Sequence, residues 1–292
     1  MKIEVKKIDK TKREISIEVG QDTVKNKFSD VFKKISQEAK VPGFRVGHVP
    51  QEILEKHYST FAHEQVLKEL VPDVYRQAIE KEGLDAVELP RIFDVRLDRQ
   101  GLSFKAAFEV VPQIDLKNYK GLAVHYKSVR VEPDEVKRSI DSLKEMRKAQ
   151  SLDDNFAKGL GYPSLAELQN ALEKQIFLQK ENIQRQNVEN EVIESLLKDA
   201  DVKAPDSLVK RQLEDLVRQA KVDLALKGLP REKIDEQENT LRQEFKAQAE
   251  KQVKVYLALS EIARKENIAI DDNMPRAVME FLLKEADWQI QS

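Results

Sequence analysis

Val41-Pro42-Gly43-Phe44-Arg45-Val46-Gly47-His48-Val49-Pro50 is the stretch from which the rest of the chain can be organised. A residue that precedes proline is pushed out of the helical region, so any helix arriving from the N-terminal side ends before Pro42. Pro50 suits the first turn of a new helix, where its missing N–H costs nothing. Between them Gly43 and Gly47 permit backbone angles closed to other residues. The stretch therefore reads as a loop joining two helices. Upstream, Val24, Phe28, Val31, Phe32 and Ile35 recur at helical spacing, with Lys25, Lys27, Lys33 and Lys34 on other faces. Downstream, Pro50-Gln-Glu-Ile-Leu opens one helix, and a further helix runs through Val66, Leu67, Leu70, Val74 and Ile79 to a stop at Gly83.

Outside these helices the period changes to that of strands. Ile3 and Val5, then Ile15, Ile17 and Val19, alternate with charged residues, with Asp9–Arg13 as the turn between the runs. Ile92–Leu97 and Phe104–Val110 form a second pair around a turn at Arg99-Gln-Gly101. The order β-β-α-α-α-β-β predicts an α+β domain over residues 1–112. Residues 113–150 form a connector, with an extended strand from Leu122 to Val131 and a helix from Pro133 carrying Val136, Ile140, Leu143 and Met146. That helix stops near Lys148 with neither glycine nor proline to end it.

Residues 151–292 read as all-helical. Ser164-Leu-Ala-Glu167 is a capping box, and the helix it opens runs to about Asp199, about 54 Å at 1.5 Å per residue. Its middle, Gln179–Asn187, is polar, which predicts an arm buried only at its ends. A second helix starts at Pro205 and ends at Gly228; a third starts at Pro230 and runs to about Asn267; a short fourth spans about Asp272 to Trp288. The fold class is α+β: an N-terminal α+β domain, an extended connector and an all-α C-terminal domain with long helical arms.

Of the 292 residues, 40% are hydrophobic and 35% charged, and the formal net charge is −2. That balance argues against a protein that coats nucleic acid through global charge. Lys33, Lys34, Lys40 and Arg45 form the one basic cluster that suits nucleic acid, but no stacking aromatics accompany it. With no cysteine there are no disulfides or thiolate metal sites. The N-terminus MKIEVKKIDK lacks an apolar signal core, and no run of about 18 apolar residues suggests a membrane span, so the expected location is the cytoplasm.

Catalytic patterns are missing: no G-x-x-x-x-G-K phosphate loop, no H-E-x-x-H and no serine elbow. His48, His57, His63 and His125 show no metal-ligand spacing. No catalytic residue, cofactor or metal is expected. The loop itself carries the most suggestive chemistry. Arginine pairs with phosphate or carboxylate, and phenylalanine fills a partner's pocket. The residues alone leave two roles open: Phe44 folds back as a staple with Arg45 merely solvated, or both are presented to a partner. Ile176, Phe177, Ile183, Leu224, Leu226, Met279 and Phe281 are likewise open between helix packing and contact with unfolded chains.

Gly43-Phe44-Arg45-x-Gly47-x-x-Pro50 resembles the signature loop of trigger factors, which lies between two helices of their N-terminal domain. Leu152-Asp-Asp-Asn-Phe-Ala-Lys-Gly-Leu-Gly161, followed by the Ser164 helix, resembles the start of that family's C-terminal domain. The resemblance implies a ribosome-binding loop of Gly43, Phe44, Arg45, Val46, Gly47 and Pro50. Within it, Phe44, Arg45 and Val46 would contact the large ribosomal subunit beside the nascent-chain exit. Val46 stands where many members carry lysine, which removes a charge from the tip. The prolyl-isomerase domain usual in the family would fall at Gln150–Ser151, where nothing intervenes. The resemblance thus implies an ATP-independent chaperone that docks at the tunnel exit, holds nascent or unfolded polypeptides in a helical cradle, and can pair as a homodimer off the ribosome. The rival readings are a ribosome-independent helical holdase or scaffold, and a peptidyl-prolyl isomerase.

Overall fold

A computed structural model describes residues 1–292 apart from Gly43, Val46, Arg99, Lys117, Gln150 and Ser292. The elements in chain order are β1 (Lys2–Lys7), β2 (Lys12–Gly20), α1 (Gln21–Glu38), α2 (Gln51–Glu82), β3 (Arg91–Leu97), β4 (Gly101–Glu109), β5 (Ala123–Lys127), α3 (Pro133–Arg147), α4 (Asp154–Gly159), α5 (Leu165–Asp199), α6 (Asp206–Leu226), α7 (Arg231–Lys265), α8 (Met274–Lys284) and β6 (Asp287–Gln291). They fall into two compact units, one of residues 1–113 with 202–257, the other of 114–201 with 258–292. The α+β class with a largely helical C-terminal region is what the sequence predicts.

In the first unit the strands pair antiparallel in the order β1-β2-β4-β3. Ile15, Ile17 and Val19 of β2 face the same side as Ala106, Phe104 and Leu102, their partners on β4, and all six are buried. Strand alternation puts every second side chain on one face, so this pairing builds one continuous apolar surface. α1 and α2 cover it with Val24, Val31, Phe32 and Ile35 from the first, and Leu54, Ala62, Val66, Leu70, Val74 and Ala78 from the second. Each large aliphatic buried there stabilises the fold by roughly 1.5–3 kcal/mol.

Two turns close the sheet through aspartates. Asp9 accepts hydrogen bonds from the N–H groups of Thr11 and Lys12, at 2.7 and 2.8 Å. Asp98 accepts from those of Gln100 and Gly101. Such side chains imitate a backbone turn and tolerate its geometry.

The two helices that the sequence separates after Pro50 meet end to end. The sequence separates a helix at Pro50 from a later one through Val66–Ile79. In the structure they are the two halves of the span Gln51–Glu82, divided by a kink with non-helical backbone at Tyr58 (φ −125°, ψ 18°). Leu54 and Ala62 are buried on either side of that interruption, so both halves pack on the same core. Pro72 lies inside the second half, which the sequence pattern also carries across it from Leu70 to Val74.

In the second unit β5 pairs in parallel with β6. Sequence periodicity misses β6, whose first two residues, Asp287 and Trp288, are read as the end of the fourth helix. That helix, α8, ends at Lys284. Leu168, Val188, Val192 and Leu196 of α5 are buried, as are Ile262, Met274, Val278 and Leu282. Phe177, Leu178 and Ile183, from the middle of α5, are exposed. The helix is thus buried at its two ends and solvated between them, as its polar middle implies.

Candidate functional site: the loop between the first two helices

The loop that joins α1 to α2 is anchored at its two ends and open at its tip. Val41 and Val49 are buried and belong to the core of the first unit. The N–H of Ala39 donates to the Ile35 carbonyl at 2.8 Å and closes α1. The Gly47 N–H then reaches back to the Ser36 carbonyl at 3.0 Å, which ties the descending side of the loop to the helix it left. Gly47 makes that return with φ +86°, in the left-handed region that suits glycine. Pro50 precedes α2, and its carbonyl accepts from the N–H groups of Ile53 and Leu54.

Between these anchors lie Phe44 and Arg45. The Phe44 N–H donates to the Val41 carbonyl at 3.2 Å, and the Arg45 carbonyl accepts from the His48 N–H at 3.0 Å. Phe44 is 41% exposed and Arg45 is exposed as well. Of the two roles left open by the sequence, the staple is not the one seen: Phe44 stands outside the buried core. Gly43 and Val46, the remaining members of the expected loop, lie outside the described residues.

The basic cluster near the loop is partly neutralised. Glu69 on α2 pairs with Lys27 and Lys34 of α1 at 2.9 and 3.0 Å, and Lys33 pairs with Asp30. Lys27, the Gln65 amide and Lys34 hold the Glu69 carboxyl down at about 2. The arrangement joins two helices and leaves a face of mixed sign.

Elsewhere the sequence-selected apolar residues divide. Phe177, Ile183 and Leu226 are exposed, whereas Ile176, Leu224, Met279 and Phe281 are half-buried. Phe281 lies beneath the Lys120 ammonium, 5.2 Å from its ring centre. The His125 ring pairs with Glu191, and the His63 ring meets the edge of Phe28. Among the described residues no group of three His, Cys, Asp or Glu gathers as a metal site. No helix among them is long and apolar enough to cross a membrane.

A family profile described as "Bacterial trigger factor protein (TF)" matches residues 1–143, and a second, "Bacterial trigger factor protein (TF) C-terminus", matches residues 164–290. The chain belongs to the trigger factor family. Among its relatives is the trigger factor of Carboxydothermus hydrogenoformans, 26% identical over an alignment that spans 93% of this chain and 88% of the relative. The trigger factor of Natranaerobius thermophilus is 34% identical over 141 residues, 48% of this chain and 32% of the relative. A solved structure described as "Promiscuous Substrate Recognition in Folding and Assembly Activities of the Trigger Factor Chaperone" superposes with a TM-score of 0.57 at 14% identity. That superposition covers 97% of this chain and 99% of the other, and it supports the shared fold.

The alignment with the Carboxydothermus trigger factor is 375 positions long, more than the 292 residues of this chain, so that relative carries an internal stretch without a counterpart here. Only residues 144–163 separate the two family matches. That is too little for an independently folded domain of fifty residues or more, roughly. This trigger factor therefore has no prolyl-isomerase domain between its N- and C-terminal family regions. Around that seam, Lys148 ends α3 and Asp153 caps α4 by accepting from the Phe156 N–H.

Proposed function

We propose that this trigger factor is an ATP-independent chaperone that docks on the large ribosomal subunit near the tunnel exit and holds nascent or unfolded polypeptides. The single observation that carries the docking part is the tip: Phe44 and Arg45 stand exposed on a loop whose two ends are fixed by Val41, Val49 and the Gly47–Ser36 bond. Displaying a phenylalanine in water costs solvation free energy, and a rigid frame lowers the ordering cost of binding. Arg45 supplies a planar, always charged donor set suited to phosphate, which is abundant on a ribosome. Gly43, Val46, Gly47 and Pro50 complete the docking segment in this reading.

Residues 1–112 then serve as the docking domain, 113–150 as the linker and 151–292 as the client-holding region, in the cytoplasm, with pairing into a homodimer off the ribosome. The exposed apolar residues Phe177, Leu178, Ile183, Val222, Leu226 and Tyr256 are dispersed among charges on long helices. Dispersed contacts are individually weak and sequence-tolerant, as a holder of many different chains requires. Light scattering of a denatured protein diluted into buffer without nucleotide tests the holding part. An equimolar amount of this chain is expected to suppress aggregation. Aggregation at the rate of the unprotected protein contradicts the reading.

A further inference from the structure

α6 begins without a cap of its own. Its N-cap residue is Pro205, which offers no side-chain acceptor, and no side-chain cap bond forms there. The acceptor comes from a distant element instead. The carboxylate of Glu109, at the end of β4, accepts from the Ser207 N–H at 2.8 Å and from the Ser207 hydroxyl at 2.6 Å. Glu109 is only 5% exposed. A carboxylate at a helix N-terminus satisfies otherwise orphaned donors and is favoured by the helix dipole.

Two ion pairs flank this bond. Lys12 of β2 lies 2.7 Å from Asp206 and 3.9 Å from Glu109. Asp9, in the β1–β2 turn, lies 2.8 Å from Lys203. Val202 and Ala204 are buried beside them. All of these residues belong to the first compact unit.

We infer that Glu109 is a positioning residue: with Lys12–Asp206 and Asp9–Lys203 it forms a polar joint that fixes the start of the α6–α7 hairpin against the sheet of the docking domain. The consequence rests on the function proposed above, since this hairpin carries the exposed Val222, Leu226 and Tyr256. The joint sets where that apolar surface stands with respect to the docking loop. Its buried member resists salt and its exposed pairs do not, because screening acts on solvated charges. A buried carboxylate stripped of its partners is far more costly than a solvated one, so the joint favours one seated arrangement.

The absence of cysteine makes the test direct, because spin labels can be placed on introduced cysteines alone. Distances are measured by pulsed electron resonance on the free, full-length chain between Glu18→Cys on β2 and Gln219→Cys on α6. A control pair, Glu18→Cys with Glu82→Cys, lies within the docking domain. In the wild-type background both distributions are expected to be narrow. Glu109→Ala is expected to broaden the first toward longer distances and leave the control unchanged, and Glu109→Gln, which keeps an acceptor oxygen, to restore the narrow form. If Glu109→Ala disturbs the control pair, Lys12→Ala/Lys203→Ala, at half-exposed positions, replaces it and is expected to broaden the first pair alone. An unchanged first distribution in the variant that keeps the control intact overturns the inference. Neither ribosomes nor clients enter the measurement, so its failure is distinct from a failure of the proposed function.

Discussion

Lys148 closes α3 in the left-handed region, at φ 52° and ψ 36°, and its N–H reaches the Glu145 and Lys144 carbonyls. A side chain in that conformation costs roughly 1 kcal/mol compared with glycine. This explains why the sequence shows a helix that stops without a stop signal: the closing geometry is there, but a lysine occupies the position where glycine is the usual cue. Gly83, at φ 60°, closes α2 in the same way and was legible for that reason. Lys148→Gly is expected to stabilise the chain by about 1 kcal/mol, read as a higher urea midpoint. An equal or lower midpoint would remove backbone strain as the explanation. At the loop, the same kind of cue made Gly47 and Pro50 readable. What the cues did not decide was whether Phe44 turns inward, because hydrophobicity alone does not tell a staple from a displayed side chain.

Between elements, the tie that bears most on the two helices covering the four-stranded sheet is Glu69. It joins α2 to α1 through Lys27 and Lys34, with its carboxyl held at about 2 against an ordinary value of 4.5. Since the folded-state value is depressed, the stability contributed is fully present above about pH 4.5 and is lost as pH falls toward 2. Glu69→Gln is expected to lower the stability at pH 7 by about 1 kcal/mol, solvent screening included. The gap between variant and wild type should narrow between pH 4.5 and 2 in urea titrations, and a gap independent of pH would contradict the assignment. Sequence periodicity finds the helices on both sides of this tie, and its division of α2 in two brackets the kink at Tyr58. No glycine or proline marks the position of that kink, and Pro72 sits inside the second half without ending it. β6 escaped because five residues are too few to establish a period, and its pairing with β5 depends on residues more than 150 positions away.

Across the whole molecule, the two ends of the family pattern were readable from local motifs, the loop at one end and the Leu152–Gly161 segment with its following helix at the other. The joint around Glu109 was not readable. Asp9, Lys12, Lys203 and Asp206 are ordinary surface charges in a chain that is 35% charged, and nothing local marks which of them meet. The sequence segments also give no sign that residues 202–257 group with 1–113. For the molecule as a whole we propose that the tip of the α1–α2 loop carries ribosome docking in a trigger factor that has no isomerase domain between its two family regions. The most direct test is co-sedimentation of the full chain with purified ribosomes, beside Phe44→Ala/Arg45→Ala. Truncating a central aromatic and its neighbouring arginine at an interface typically costs at least about 2 kcal/mol, a loss in affinity of roughly thirtyfold. The wild-type chain is expected to pellet with ribosomes and the double variant, folded as judged by its urea midpoint, to stay in the supernatant. Equal pelleting of the two chains, or none of either, would contradict the proposal.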